Sequence, residues 1–252
     1  MPLVVPPPIT TPWGTHDCRL EWNSATTVRL VREGGTHLMI SGARREIPVG
    51  GIVRTTPATD ANFLVFAYME TPTTVNLWFE PSATGFSNDA NGMAVINGHP
   101  EWTLVGAIWA QSTGIDGPRL VCSYYNRKPR STAANPGLIQ SGATSPAVLT
   151  EAATCYWVAF GGDGYEAMCT GHVYTVNTPT AIIATHLYTD GAGFGPSNNN
   201  CPAIANAGCL IGIRVARSLP AGPAGLHNSK VMAWQNAGTA NWVVSNAVRW
   251  MA

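Results

Sequence analysis

The sequence predicts an all-β protein: two tandem antiparallel β-sandwich or barrel-like domains behind an extended, Pro-rich N-terminal arm. Three observations predict it. Apolar residues recur with a period of two in short runs closed by Gly, Pro and Asn clusters, as half-buried strands require. No stretch keeps helical spacing beyond about two turns, and no heptads occur. The 26 glycines and 19 prolines in 252 residues are scattered along the chain and interrupt any long helix. With 45% hydrophobic residues, the chain can bury a substantial core.

The arm spans residues 1–20. Pro2, Pro6, Pro7, Pro8 and Pro12 favour an extended, polyproline-like path. Val4, Val5, Ile9 and Trp13 have no strand partner within their own segment. Such an arm cannot bury itself, so Pro6, Pro7, Pro8 and Trp13 are expected to dock on another subunit. A signal peptide is not expected, because a charged n-region and a long apolar h-region are both missing.

The first domain is expected over 21–126. "THLMISGARREIPVG" reads as a hairpin turning near Gly42-Ala43. In "TTVNLWFE", Val75, Leu77 and Phe79 point one way, and Asn76, Trp78 and Glu80 the other. In "WTLVGAIWA", Trp102, Leu104 and Ile108 oppose Val105 and Trp109. Both faces are apolar there, which predicts a central strand covered on both sides. About the longest apolar run, Phe63–Met69, is far short of the roughly 18 residues of a membrane span.

Arg127, Lys128 and Arg130 form the densest positive cluster in the chain. It is too small for a nucleic-acid patch and lacks interleaved aromatics beyond Tyr124 and Tyr125. It reads instead as a domain exit. The following "STAANPGLIQSGATSP" has linker composition, so 127–146 is expected to be low in regular structure. The second domain, 147–252, is expected to hold strands at Thr154–Phe160, Tyr165–Val176, Ala181–Tyr188, Leu210–Val215, Lys230–Gln235 and Asn241–Trp250. In the last of these, Trp242, Val244, Val248 and Trp250 share a face.

Charge sets the surface. There are 14 basic and 14 acidic residues, balanced on both sides of Arg130, so neither half carries a field for nucleic acid or an anionic membrane. Charged residues make up 11%, less than half of the usual quarter. An isolated monomer of this kind exposes wide neutral surface, which predicts a homo-oligomer. Twelve of the basic residues are Arg, a skew that either enrichment at protein contacts or a biased genome produces.

Chemistry is sparse. The six cysteines lack the paired spacing of a structural zinc site. Cys155 and Cys169 flank "GGDG". A three-residue hairpin loop sets them opposite each other, whereas a two-residue loop puts them on opposite faces. Cys201 and Cys209 bracket a Gly/Asn-rich loop. These four are the disulfide candidates, against the reading that all six are small buried hydrophobes made in a reducing cytoplasm. Cys169-x-x-His172 is the only metal-like fragment, and His99-x-Glu101 reads as a loop because no P-C-x-x-C follows. The glycines at 191–195 lack a strand–loop–helix setting. No G-x-S-x-G and no carboxylate pair occur, so no enzyme, cofactor or metal is expected. Trp78, Trp102, Trp109, Trp157, Trp242 and Trp250 lie in strand patterns and read as core.

Several phrases carry a family resemblance. "GTHLMISGARREIP", "NFLVFAYMETPTTVNLWFEPSATGFS", "TLVGAIWA" and "LVCSYYNRKP" resemble a module common in tailed-bacteriophage virion proteins. That module closes with a Ser-Trp-Phe-Asn phrase, here Ser123-Tyr124-Tyr125-Asn126. The second half is similar to the β domain that often follows, with Gly225-Leu226-His227 in place of a Gly-Tyr-His phrase. The resemblance covers residues 20–250. It implies a non-enzymatic virion structural protein of the two-β-domain appendage type: a fibre, spike or tail appendage made in the host cytoplasm. It would lie on the exterior of the particle, docked to capsid, neck or tail proteins, as a homo-oligomer with a trimer favoured. A capsid decoration or cement protein is the alternative, and so is a host-adhesion module that binds a surface glycan.

Overall fold

The alternating runs become strands, all paired antiparallel. The computed structural model describes residues 17–90, 92–176, 183–190, 192–194, 209–220, 224–235 and 238–251. Among these it holds twenty strands, three single-turn 3-10 helices and no α-helix. The all-β expectation is met.

Eleven strands precede residue 124. They are β1 (Cys18–Ser24), β2 (Thr27–Arg32), β3 (His37–Ile40), β4 (Ala43–Glu46), β5 (Ile52–Thr55) and β6 (Ala61–Thr71). Next come β7 (Thr74–Pro81), β8 (Phe86–Asn88), β9 (Ala94–Ile96), β10 (His99–Ala110) and β11 (Val121–Ser123). They pair as β1-β2-β5, as the hairpin β3-β4, and as β7-β6-β10-β9-β8 with β11 added to β10. The β3-β4 turn falls at Ser41-Gly42, both at positive φ, one residue earlier than the sequence suggested. Positive φ at both positions is the hairpin turn whose twist matches the flanking strands. β10 is central as expected, and residues 103–108 are all buried. A bulge between Leu104 and Gly106 shifts its register. A Cβ at Gly106 would stand 2.6 Å from Leu20 Cδ2 and 2.5 Å from the Cys122 carbonyl. Only glycine lets β1 lie this close to β10.

The second half holds β12 (Pro129–Ser141), β13 (Ala147–Val148), β14 (Cys155–Ala159), β15 (Gly164–Val176) and β16 (Ile183–Thr189). It continues with β17 (Ala192–Phe194), β18 (Cys209–Ser218), β19 (Gly225–Gln235) and β20 (Thr239–Met251). One sheet runs β12-β20-β15-β18, the other β13-β19-β16-β17 with β14 also on β19. The two sheets face each other across Trp157, Trp242 and Trp250, all fully buried, with the Trp157 and Trp250 rings 6.2 Å apart. Asn246 crosses this apolar layer: its Nδ2 donates to the Ala153 and Ser229 carbonyls at 2.8 and 2.7 Å.

The linker expected over 127–146 is corrected here. Residues 129–141 are strand β12, paired with β20 from Pro129 to Ser141. The sequence hid this strand because none of its residues is buried, so no apolar alternation was needed. Its two prolines fit an edge strand: Pro129 opens it, and Pro136 falls in the bulge between Ala134 and Gly137.

Among the described residues, no strand of 18–123 pairs with a strand of 129–251. A single apolar cluster nevertheless runs through both halves. Where they meet, the Phe86 and Tyr124 rings pack edge-on to each other at 5.7 Å, and to Phe160 at 6.3 and 5.1 Å. The basic cluster lies at this seam. Arg127 sits 4.8 Å over the Phe160 ring and pairs with the buried Asp163. Lys128 reaches back to Glu33 at 2.8 Å, and Arg130 donates to the Pro118 carbonyl. The cluster fastens the two halves together.

Candidate interaction face

Strand parity divides β12-β20-β15-β18 into an inner and an outer face. Trp242, Val244, Asn246, Val248 and Trp250 of β20 point inward and are buried, so Val243, Ser245, Ala247 and Arg249 point outward. The register extends that outer face across the sheet in rows. Leu138, Val243, His172 and Leu210 form one row. Ser245, Thr170 and Gly212 form the next, and Ala133, Ala247, Met168 and Arg214 the third. Ser131, Arg249, Glu166 and Ala216 close the face, and Arg214 pairs with Glu166.

The charges of this face are confined to one end. Leu210 is 84% exposed, Leu138 62% and Met168 39%. Small side chains fill the space between them, so a second surface can approach the backbone closely. Long exposed apolar side chains on an open sheet mark a contact surface. Four strands about 4.8 Å apart and seven residues at about 3.3 Å rise give roughly 450 Å². That is about half of the 800 Å² per partner usual in stable interfaces, so this face needs a second contact beside it. Among the described residues, β12 and β18 are the outer strands of this sheet.

The disulfide candidates behave differently from the hairpin reading. β14 and β15 do not pair: β14 joins β19, while β15 joins β18 and β20. The turn between them, closed by the Asp163 N–H to the Phe160 carbonyl, carries the chain from one sheet to the other. Cys155 and Cys169 are therefore free, buried thiols, as are Cys18 and Cys122. The Cys155 Sγ donates to the Asn246 carbonyl at 3.2 Å. Burial pushes the Cys155 thiol up to about 11 and those of Cys122 and Cys169 to about 12. Cys201 lies outside the described residues, and so does the side chain of Cys209 at the start of β18. The docking-arm residues Pro6, Pro7, Pro8 and Trp13 also lie outside them.

Other sequence fragments resolve locally. Cys169 points into the sandwich and His172 out of it, so they share no site. His99 and Glu101, read as a loop, begin β10, with Nδ1 and Oε1 3.0 Å apart. Among the described residues no group of three or more His, Cys, Asp or Glu is placed to hold a metal. Trp157, Trp242 and Trp250 are core as expected, and Trp102 and Trp109 are half-buried. Trp78 is not core: it is 40% exposed on β7, at the sheet edge. Its face also carries Asn76 and Glu80, and that polar company was the signal for exposure.

No family model matches the chain, and no curated protein matches it. Among solved structures it is similar to T=1 particles derived from infectious bursal virus, at 16% identity over 96% of this chain and 72% of that one, TM-score 0.39. It is likewise similar to the Gx strain of infectious bursal disease virus, at 12% identity over 97% and 74%, TM-score 0.37. A family 86 β-porphyranase from the gut bacterium Bacteroides plebeius follows at 8% identity over 94% and 37%, TM-score 0.26. Likeness at these TM-scores carries no functional argument.

Proposed function

We propose that the chain is a non-enzymatic structural protein of a bacteriophage particle, an exposed fibre, spike or tail appendage. It works as a homo-oligomer docked by its N-terminal arm. The observation that carries this reading is the open outer face of β12-β20-β15-β18, whose exposed apolar residues fit contact with another subunit. The low charge of the whole chain supports it, and so does the resemblance of residues 20–250 to virion modules. The face supplies about half of a stable interface, and the Pro-rich arm is the segment suited to supply the rest. The resemblance favours a trimer.

An electron cryo-microscopy map of the particle tests the reading. It should show repeated copies on the exterior, joined through this face, and a chain lacking residues 1–16 should fold but fail to join the particle. Copies that bare this face to solvent, or normal incorporation of the truncated chain, would overturn it.

A further inference from the structure

On a different sheet from the outer face of β12-β20-β15-β18, the β7 side of the first large sheet carries an aromatic cluster. Trp78 on β7, Tyr68 on β6 and Trp102 on β10 lie on adjacent strands. The Trp102 ring is 5.6 Å from Trp78 and 5.3 Å from Tyr68. The irregular register between His99 and Thr103 brings His99 over Trp102, stacked at 4.6 Å. Trp78 is held in place although exposed: its Nε1 donates to Glu80 Oε2 at 3.0 Å, and Thr84 Oγ1 donates to Glu80 Oε1 at 2.9 Å. An exposed indole fixed by a carboxylate has already lost the freedom that binding would otherwise remove.

The surrounding polar groups limit what can sit there. Glu101, beside His99, is exposed, and a backbone N–H together with His99 holds its carboxyl below the usual carboxylate range. It stays ionised and accepts hydrogen bonds. The six side chains Tyr68, Trp78, Glu80, His99, Glu101 and Trp102 include two carboxylates and no lysine or arginine. Fixed acceptors beside a flat electron-rich ring suit hydroxyl donors around a flat C–H face, and they repel anions. We propose that this cluster is a binding platform for a neutral saccharide of equatorial pyranose units, with the Trp78 indole under the sugar face and Glu101 and Glu80 accepting from its hydroxyls. The site does not depend on the mode of assembly.

The test is titration of the full chain with cellotetraose and triacetylchitotriose, with 3′-sialyllactose as the anionic control, followed by tryptophan fluorescence and saturation-transfer NMR. At least one neutral sugar should bind in the millimolar range or tighter. Trp78→Ala and, as a second variant, Glu101→Ala should each weaken it by about tenfold or more, while Trp22→Ala, at another exposed tryptophan, should not. A cooperative melting transition at an unchanged temperature confirms that each variant is folded. Absence of binding by both neutral sugars, equal binding of sialyllactose, or full binding by Trp78→Ala overturns the proposal. So does occupation of the cluster by a synthetic peptide of residues 1–17 without sugar binding, which would assign it to a proline-rich segment instead.

Discussion

Asn246 is fully buried between two sheets, yet it is satisfied from both sides. Besides the two carbonyls it serves, its Oδ1 accepts from Ser229 Oγ at 3.3 Å. Asn246→Ala strips donors from two buried carbonyls, and an unmet buried acceptor costs about 1–3 kcal/mol. Urea denaturation should show a loss in that range, and a change under about 0.5 kcal/mol would contradict the bridging role. The thiols give a second test. Since burial raises Cys18, Cys122, Cys155 and Cys169 alike, all four stay protonated at pH 8 and shielded from reagent. Alkylation with peptide mapping should label these four only after denaturation; rapid labelling of the native chain, or recovery of a Cys155–Cys169 bridge, would contradict it. The sequence made Trp242 and Trp250 legible through their shared parity with Val244 and Val248. Asn246 was not legible, because its partners lie on other elements, far away in sequence.

Elements were legible where one face is buried and hidden where none is. The strands of the second half that carry a buried face overlap the expected runs, though β19 begins at Gly225, five residues before the run expected from Lys230. β12 escaped because its stability comes from backbone pairing with β20 rather than from an apolar stripe. The turn after β14 escaped for another reason: a tight turn between two strand patterns reads as a hairpin, and nothing local tells whether the strands separate into different sheets. One buried pair is part of the seam. Arg127 and Asp163 have side chains only 14% and 7% exposed. Burial raises the Asp163 carboxyl, and Arg127 opposes that effect. Removing one member of a buried pair costs about 3–5 kcal/mol because the other charge is left uncompensated. Asp163→Ala should therefore destabilise by about that much, and the double replacement Arg127→Met with Asp163→Leu should recover most of it. Chemical denaturation followed by tryptophan fluorescence measures both. An Asp163→Ala loss below about 1 kcal/mol would show that the pair does not hold the halves together.

For the whole molecule, composition and surface converge on one consequence. A chain with 11% charged residues leaves an open sheet face whose charges sit at one end. Composition made the neutral surface legible but not its place, since that depends on which sheet face the sandwich leaves uncovered. Single charges placed there should disrupt association without touching the core, because Leu210 and Met168 point away from it. Light scattering coupled to size-exclusion chromatography over a hundredfold dilution measures this directly. The full chain should elute at a constant multiple of its 26.7 kDa mass, and Leu210→Glu with Met168→Glu should fall to that mass while melting at an unchanged temperature. A monodisperse 26.7 kDa species at every concentration, or charged variants that assemble like the wild type, would contradict self-assembly through this face.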